Sequence, residues 1–395
     1  MTITNEMIGE RLVERARAMI PVLRERGEKA EELGHLPDAT MQDAIDAGFF
    51  RSFVPKRHGG YEIDFRYPPQ MTRAIARGCP ASAWILSFFV HHNWQLALYP
   101  EEVQKVLWAD KPYALAPGQI VPNGKATVTD EGYRLTGRWP WASGVLHANW
   151  AMLNGVVPGD GPAPDMRYFL VPIEDTSVEL DWKVAGLRAT GSNTLNVEDV
   201  FVPEERQIPF PSMLDRTAPG FATHDSYLWR IPMIMMMYYN SLTAAALGAA
   251  EGVHELFVED MRHKNITFGG GPAVDSAGVQ MRIGRTKLQI NTIASLFDRI
   301  IVSIEERAQA DDELTDSERL DLTMDSTHII HTARRIVDEI AEAAGATANY
   351  LSHPIQRFRR DLNALASHAA YNFDRNSEVY GRALFGLDIP PEQIR

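Results

Sequence analysis

Two adjacent histidines lie in a stretch that is apolar almost throughout. His91 and His92 follow Trp84 and Phe88 within residues 81–99. Burying an imidazole among apolar side chains costs free energy unless a partner satisfies its polar atoms. Neighbouring residues on a helix point about 100° apart, so at most one of the two rings faces a given cavity. The pair indicates either a pocket that needs an imidazole or hydrogen-bonded histidines in the core.

A compact group of aromatic and small residues occupies positions 139–144, with the sequence WPWASG. A planar aromatic cofactor needs a flat wall, a close approach to the backbone and a hydroxyl group. Trp141, Gly144 and Ser143 are residues of these types. Tryptophans also pack in β domains without a cofactor, so both interpretations stay open.

Other motifs give no sign of a metal or nucleotide site. His328 and His331 have the spacing of a metal pair on a helix, but Arg335 continues the same face, and a cation there opposes metal binding. We therefore interpret that face as solvated and expect no metal. The chain has no GxSxG motif and no Rossmann fingerprint, which argues against a hydrolase elbow and against the usual mode of NAD binding.

Composition narrows the class of protein further. The 395-residue chain carries a formal net charge of -13 and one cysteine, Cys79. The acidic balance argues against a nucleic-acid surface, and one cysteine allows no internal disulfide. No apolar run approaches the roughly 20 residues that span a membrane, and the charged N-terminus lacks the apolar core of a signal peptide. We expect a cytoplasmic protein that binds neither nucleic acid nor membrane.

Residue periodicity divides the chain into three parts. Residues 1–112 show helical spacing, with one helix beginning at Asp38. Residues 113–215 contain more Pro and Gly and short runs of β-branched and aromatic residues, which predict strands. Helical periodicity returns and persists through 216–395. The sequence predicts an α+β protein, mostly α, with three domains at these bounds.

Several segments together resemble the acyl-CoA dehydrogenase fold over essentially the whole chain. The resemblance implies an N-terminal helical domain, a central β-barrel or sandwich, and a C-terminal four-helix bundle. The segments that carry it are YRLTGRWPWASG (133–144), GLRATGSNTLNVEDVFVPEE (186–205), the helix around Arg262, and IQRFRRD (355–361), which resembles the signature of the family's last helix.

The C-terminal segment departs from the dehydrogenases of that family. In them, an Arg-Asp pair is followed seven residues later by Tyr and eight residues later by the Glu that takes the substrate α-proton. Counted from Asp361, these positions hold His368 and Ala369. Alanine cannot accept a proton and imidazole can, so the resemblance implies the same scaffold with a different reaction.

The details resemble the oxygenase components of two-component flavin-dependent monooxygenases, often called group D. The resemblance extends to hydroxylases of phenols, including those that act on 4-hydroxyphenylacetate and on the phenolic seco-steroid of cholesterol breakdown. It implies hydroxylation of a small phenolic or indole-like substrate through C4a-hydroperoxyflavin. It also implies FADH2 or FMNH2 and O2 as cofactors, a separate NAD(P)H:flavin reductase as partner, no metal, and a homotetramer whose flavin sites borrow from neighbouring subunits.

The resemblance also implies roles for individual residues. Ser143 is expected near flavin N5, His368 as the base that takes the phenol proton, and His92 as a group that orients the substrate hydroxyl or the peroxide. His92 is preferred over His91 because it precedes Asn93 and Trp94, as in the family's motif. The expected flavin contacts are Trp141, Ser143, Ser192, Arg262, Gln356 and Arg359, and the expected pocket lining is Trp84, Phe88, His91, Met233 and Met237. The methionines also fit a plain core.

Three other functions stay open. A true acyl-CoA dehydrogenase would need a carboxylate base on an earlier helix, and Glu251 or Glu255 could be proposed. An N-oxygenase of an amine, similar to nitrososynthases, would use the same scaffold. A flavin-free scaffold protein would bind no flavin in either redox state.

Overall fold

The computed structural model describes residues 4–159, 164–266 and 271–390. In this part of the chain, helices come first, a sheet lies in the middle and helices follow. The helices before the sheet are α1 (Asn5–Ala18), α2 (Ile20–Leu33), α3 (Asp38–Ala47), α4 (Tyr67–Gly78), α5 (Pro80–Leu96) and α6 (Glu101–Leu107).

Prolines define several of these helix starts. Pro21 lies in the first turn of α2. Met19 separates this helix from α1. A proline there removes no needed hydrogen bond, since first-turn N–H groups have no partner within the helix. The helix predicted to begin at Asp38 is α3, which follows Pro37.

The helix that carries the two histidines is buried on all sides. In α5, every residue from Pro80 to Leu96 is buried except Phe88, which is half-buried. The helix packs against α4 and against helices that follow the sheet in the chain. Phe88 therefore marks the one place where α5 comes near open space.

In the described residues, the strands form one seven-stranded sheet in the order β5-β6-β2-β1-β3-β4-β7. Neighbouring strands are antiparallel except for β1 and β3, which are parallel. The sheet has its own apolar core, separate from the larger helical core. The strands are β1 (Gly118–Thr129), β2 (Gly132–Ala142), β3 (Trp150–Val157), β4 (Asp165–Pro172), β5 (Ser177–Glu179), β6 (Asn193–Pro203) and β7 (Gln207–Pro209).

Four long helices, α9 to α12, pack on one another in the C-terminal half. A π-helical segment, Tyr238–Thr243, joins α8 to α9 without a break. The helices after the sheet are α7 (Phe210–Leu214), α8 (Met233–Met237), α9 (Ala244–His263), α10 (Ala277–Ala310), α11 (Asp316–Ala344), α12 (Pro354–Ala366) and α13 (Phe373–Leu384). Within the described residues, no helix combines the length and apolarity needed to cross a membrane.

The segment that resembles the signature of the family's last helix is α12, and one more helix, α13, follows it. One expectation about the C-terminal helices is wrong. His331 does not lie on a fully solvated face, because its Nε2 contacts the carbonyl of Tyr371 at 2.9 Å and its ring packs against Phe373. The boundaries of the three domains stay a prediction.

Candidate active site

One face of α5 presents a row of aromatic rings. Trp84 and Phe88 are one turn apart, with ring centroids at 5.0 Å. The Phe88 ring lies 5.1 Å from that of His91 and 5.4 Å from that of His92. Spacings of four and seven or eight residues place side chains on one side of a helix. The two histidines thus extend the row beyond the half-buried Phe88.

His92 points toward the start of the sheet. Its Nδ1 lies 2.6 Å from the carbonyl oxygen of Ala116, so Nδ1 carries the proton and donates it. Its Nε2 is then an acceptor, and a Cβ placed on Gly118 would come within 3.0 Å of it. Burial lowers the pKa of His92 to about 4, although the bond to Ala116 opposes the shift. His92 is therefore a neutral ring near pH 7.

His91 points toward the C-terminal helices instead. Its Nδ1 lies 3.0 Å from the hydroxyl of Ser241, which belongs to the π-helical segment. Burial, followed by the neighbouring His92, holds the pKa of His91 well below its ordinary value. The two rings lie 4.3 Å apart but use different partners, as the angle between neighbouring helical residues requires.

The end of β2 and the loop that follows it have a strained backbone. Trp141 has a φ of +65°, unusual for a bulky residue, and its side chain is 61% exposed. Its carbonyl accepts bonds from the Ser143 N–H at 2.8 Å and from the Gln119 side chain at 3.1 Å. Gly144 has a φ of +77°, and a Cβ there would lie 2.7 Å from Phe89 of α5. The end of β2 therefore exposes the Trp141 ring, and the following loop places Ser143 against α5.

Ser143 is bonded to the aromatic row. The Trp84 Nε1–H donates to the Ser143 Oγ at 3.1 Å. The Ser143 Oγ also lies 2.8 Å from the Oγ of the buried Ser192, which lies 2.6 Å from the Oγ1 of Thr190. Backbone contacts hold the same loops together, because the Gly144 N–H donates to the Thr190 carbonyl at 3.0 Å.

His368 reaches the same indole from another direction. It lies beyond the end of α12 and caps the short turn Ala369–Tyr371, where its Nδ1 accepts from the Ala370 N–H at 3.2 Å. Its half-buried ring sits edge-on to Trp84, with centroids 6.0 Å apart. The three expected catalytic residues thus lie around the rings of Trp84 and Phe88.

The expected flavin contacts divide into two groups. Trp141, Ser143 and Ser192 lie together beside α5, whereas Arg262, Gln356 and Arg359 have other partners. Gln356 bonds to the carbonyls of Leu351 and His353 and to the side chain of Arg360.

Both arginines lie at the surface. Arg262 is 63% exposed and pairs with Glu259 at 2.9 Å. Arg359 pairs with Asp338 at 2.7 Å and lines a surface groove of about 680 Å³ beside α11. Ser143, Ser192 and Thr190 form a cluster of hydroxyl groups, the Ser143 cluster. Neither arginine contacts it within this chain.

The expected methionine lining lies on a helix that packs against α5. Met233 and Met237 are both buried in α8. This placement fits a core role and a lining role equally.

The alternative bases Glu251 and Glu255 are engaged by arginines. Arg73 contacts both carboxylate oxygens of Glu251, and Arg24 and Arg77 pair with Glu255 at 2.7 and 2.6 Å. These bridges fasten α9 to α2 and α4, so the two carboxylates serve helix packing. In the described residues, no group of three or more His, Cys, Asp or Glu side chains is arranged to hold a metal ion.

Sequence reasoning missed three groups that complete the site. Thr190 extends the Ser143–Ser192 contact, Ser241 holds His91, and the Ala116 carbonyl holds His92. The one available signal was the run Thr190-Gly191-Ser192 inside a segment already noted for its resemblance. Ser241 gave none, because a π-helical turn is not visible in the periodicity.

Comparison with known proteins places this geometry in a family. The N-terminal domain of acyl-CoA dehydrogenase matches residues 4–111, and the C-terminal domain of acyl-CoA dehydrogenase matches residues 241–373. The pigment production hydroxylase of Rhodococcus sp. (strain ATCC 21145) is 34% identical over 96% of this chain and 97% of its own length. The flavin-dependent monooxygenase, oxygenase subunit HsaA, of Rhodococcus jostii (strain RHA1) is 34% identical over 97% of this chain and 100% of its own.

Solved structures agree with the sequence relatives. The crystal structure of 3-HSA hydroxylase from Rhodococcus sp. RHA1 has a TM-score of 0.91 at 33% identity, covering 97% of this chain and 99% of that one. XiaF from Streptomyces sp., in complex with FADH2 and glycerol, has a TM-score of 0.89 at 30% identity and covers 98% of each chain.

The chain belongs to the acyl-CoA dehydrogenase fold family. Within it, the chain is a flavin-dependent monooxygenase of the oxygenase-component type. The fold and the enzyme class expected from the sequence are confirmed, and so is dependence on flavin.

Proposed function

We propose that this protein hydroxylates a small phenolic or indole-like compound, using reduced flavin delivered by a separate NAD(P)H:flavin reductase. The observation that carries the proposal is the bond from Trp84 to Ser143 at the edge of the Phe88–His92 row. It joins a hydroxyl suited to a flavin edge to an aromatic surface suited to a planar substrate.

The residues present fit a flavin. Trp141 offers an exposed ring on a strained backbone, and Ser143 offers a half-buried oxygen beside it. When bound, reduced flavin supplies, together with O2, the oxygen atom that enters the substrate ring. We assign Trp141 to contact the flavin ring system and Ser143 to hold its N5 edge, with Ser192 supporting Ser143.

Apolar residues around the row exclude water. Trp84, Met233 and Met237 are each at most 9% exposed. Water at the reaction centre would favour loss of the oxygen as hydrogen peroxide, so a dry lining favours transfer to the substrate. Phe88 supplies the partly open surface on which an aromatic ring can pack.

His92 and His368 act on the substrate hydroxyl in different ways. His92 is neutral, and its Nε2 is an acceptor that orients a substrate O–H. His368 takes the phenol proton, which makes the ring more nucleophilic. A charged imidazole carries a hydrogen on both nitrogens. In the neutral ring Nδ1 is the acceptor, so Nδ1 is the nitrogen that takes the proton, and its bond from the Ala370 N–H is then lost.

We also propose a homotetramer in which Arg262 serves a neighbouring subunit. Arg262 is exposed and lies outside the Ser143 cluster of its own chain. Helix α10 also exposes Met281 and Leu288, which lie two turns apart on one face. Sedimentation equilibrium tests this assembly, and a monomer at micromolar concentration would contradict it.

One experiment tests the activity and the substrate class. The protein is mixed with anaerobically reduced FMN or FAD, then with oxygenated buffer containing phenols, indoles or amines. The proposal predicts a hydroxylated ring product, with little hydrogen peroxide when the substrate fits. Peroxide alone with every compound, or oxidation at an amine nitrogen only, would contradict it.

A further inference from the structure

Three hydroxyl groups form a chain from Ser143 to the main chain of the loop before β6. The Ser143 and Ser192 oxygens are 2.8 Å apart, and those of Ser192 and Thr190 are 2.6 Å apart. The Thr190 hydroxyl lies 2.8 Å from the carbonyl oxygen of Leu187. Each hydroxyl has one hydrogen to donate, so the direction of one bond determines the others.

The Leu187 carbonyl determines that direction. A carbonyl oxygen only accepts, so the Thr190 hydroxyl donates to it. The Thr190 oxygen then accepts from Ser192, and the Ser192 oxygen accepts from Ser143. The reverse order would leave lone pairs facing each other at 2.8 Å. Thr190 and Ser192 are 2% and 4% exposed, so water cannot relieve that contact.

Ser143 therefore has no hydrogen left for a ligand. Its hydrogen goes to Ser192, and one of its lone pairs receives the Trp84 N–H at 3.1 Å. What Ser143 can offer on its open side is its second lone pair. Reduced flavin has a hydrogen on N5, whereas oxidised flavin has a lone pair there. An acceptor at this point attracts the first and repels the second.

We propose that Thr190 and Ser192 are positioning residues that hold Ser143 as an acceptor and so make the site prefer reduced over oxidised flavin. This rests on the proposed placement of flavin N5 at Ser143. The loop itself is anchored from α12, because the Asp361 carboxylate accepts from the Leu187 N–H at 2.6 Å and Arg360 donates to the Ala185 carbonyl at 2.6 Å.

Thr190→Val tests the chain without removing its support. Valine keeps the shape of threonine, and the Leu187 carbonyl keeps two donors, the Trp182 Nε1–H at 2.9 Å and the residue-190 N–H at 3.1 Å. Ser192 can then donate to Ser143, which becomes free to donate to a ligand. Ser192→Ala frees Ser143 in the same way. Dissociation constants are measured for FMN, or for FAD where the wild type binds only FAD, with the flavin oxidised in air and reduced under anaerobic conditions.

The expected readout is the ratio of the two dissociation constants. It shifts by about three- to tenfold toward oxidised FMN in both variants, the size of one hydrogen-bond preference. Thr190→Ser restores the wild-type ratio. Thr286→Val removes a buried hydroxyl that donates only to carbonyls of its own helix, and it keeps the wild-type ratio. Equal weakening of both redox forms in Thr190→Val and Ser192→Ala would show a merely structural role and overturn the proposal.

A second measurement uses the wild-type protein alone. Oxidised 5-deaza-FMN has a C–H where oxidised FMN has the N5 lone pair. Its dissociation constant from the wild-type protein should therefore be lower than that of oxidised FMN by a factor of about three or more. Equal binding would overturn the inference while leaving the proposed function intact. Failure to bind either FMN or FAD in any redox form would instead contradict the proposed function.

Discussion

At the scale of single residues, Ser143 connects the two parts of the site. It lies on the loop after β2 but is bonded to an indole of α5, so it transmits the position of the buried helix to the flavin side. The Ser143 Oγ contacts the Trp84 Nε1 and the Ser192 Oγ within 3.1 Å, and the residue is half-buried. These contacts hold the hydroxyl in place.

Ser143→Ala should uncouple flavin oxidation from hydroxylation. The variant loses the flavin-edge contact and leaves the Trp84 N–H without its acceptor. The share of consumed flavin that appears as hydrogen peroxide should rise roughly three- to tenfold. A coupled peroxide assay and product chromatography measure it. Ser212→Ala is the matched control, because its hydroxyl donates only to the Pro209 carbonyl. An equal peroxide share in both variants would remove Ser143 from the site.

His92 should not titrate in the working pH range. With a pKa of about 4, it stays neutral from roughly pH 5 to 8. His92→Gln should lower kcat/KM by roughly tenfold, as expected for a lost orienting bond, while the shape of the pH profile stays the same. If an acidic limb of the wild-type profile disappears in His92→Gln, the neutral role is wrong.

At the scale of elements, α12 supports the loop that holds Thr190 and Ser192. Asp361 is 1% exposed, and its Oδ1 accepts from the Leu187 N–H. Burial raises the pKa of Asp361 to about 7. In the unfolded chain an Asp titrates near 4. The folded state therefore holds a proton between about pH 4 and 7 that the unfolded state has lost, and this carboxyl's contribution to stability falls as pH rises through that window.

Asp361→Asn should flatten this dependence. The amide can still accept from Leu187 but does not titrate. Between about pH 4 and 7 the unfolding free energy of the variant should fall less, or rise more, with pH than that of wild type. Urea unfolding at several pH values measures the slope. Asp338→Asn, which breaks a surface pair with Arg359, is the control. Identical slopes in wild type and Asp361→Asn would contradict the shift.

The sequence predicted the elements better than their contacts. The buried character of α5 and the strand before WPWASG follow from local composition. The hydroxyl chain does not, because it depends on left-handed backbone at Trp141 and Leu187, which brings loops 49 residues apart into contact. The position of His368 beyond α12 was also hidden, since helical spacing does not show where a helix ends.

At the scale of the whole molecule, several histidines are buried or half-buried in the neutral form. Burial lowers the pKa of His92 and of His224 to about 4 and that of His91 well below its ordinary value. An unfolded histidine binds its proton near pH 6.5. Their contribution is fully present above that pH and is lost as pH falls toward about 4. Burial raises the pKa of Asp361 and of Asp325, and these two carboxyls act in the opposite direction. Burial also lowers the pKa of His58, His147 and His254, which act in the same direction as the first three histidines.

The protein should therefore lose thermal stability on acidification from about pH 7 to pH 4. His224 lies outside the proposed site and bonds to the Ala97 carbonyl, so His224→Gln isolates one component. The variant should show a smaller loss of Tm over this range than wild type. Scanning calorimetry at several pH values measures it, and an unchanged pH slope in His224→Gln would contradict the assignment.

The central claim is that the chain transfers oxygen from O2 to an aromatic substrate bound beside Phe88. The most direct test supplies anaerobically reduced flavin, a phenol that is turned over, and ¹⁸O2 in unlabelled water. Mass spectrometry of the product should show one ¹⁸O atom per hydroxyl group added. A product whose new oxygen comes from water, or oxidation without any added oxygen, would contradict the account.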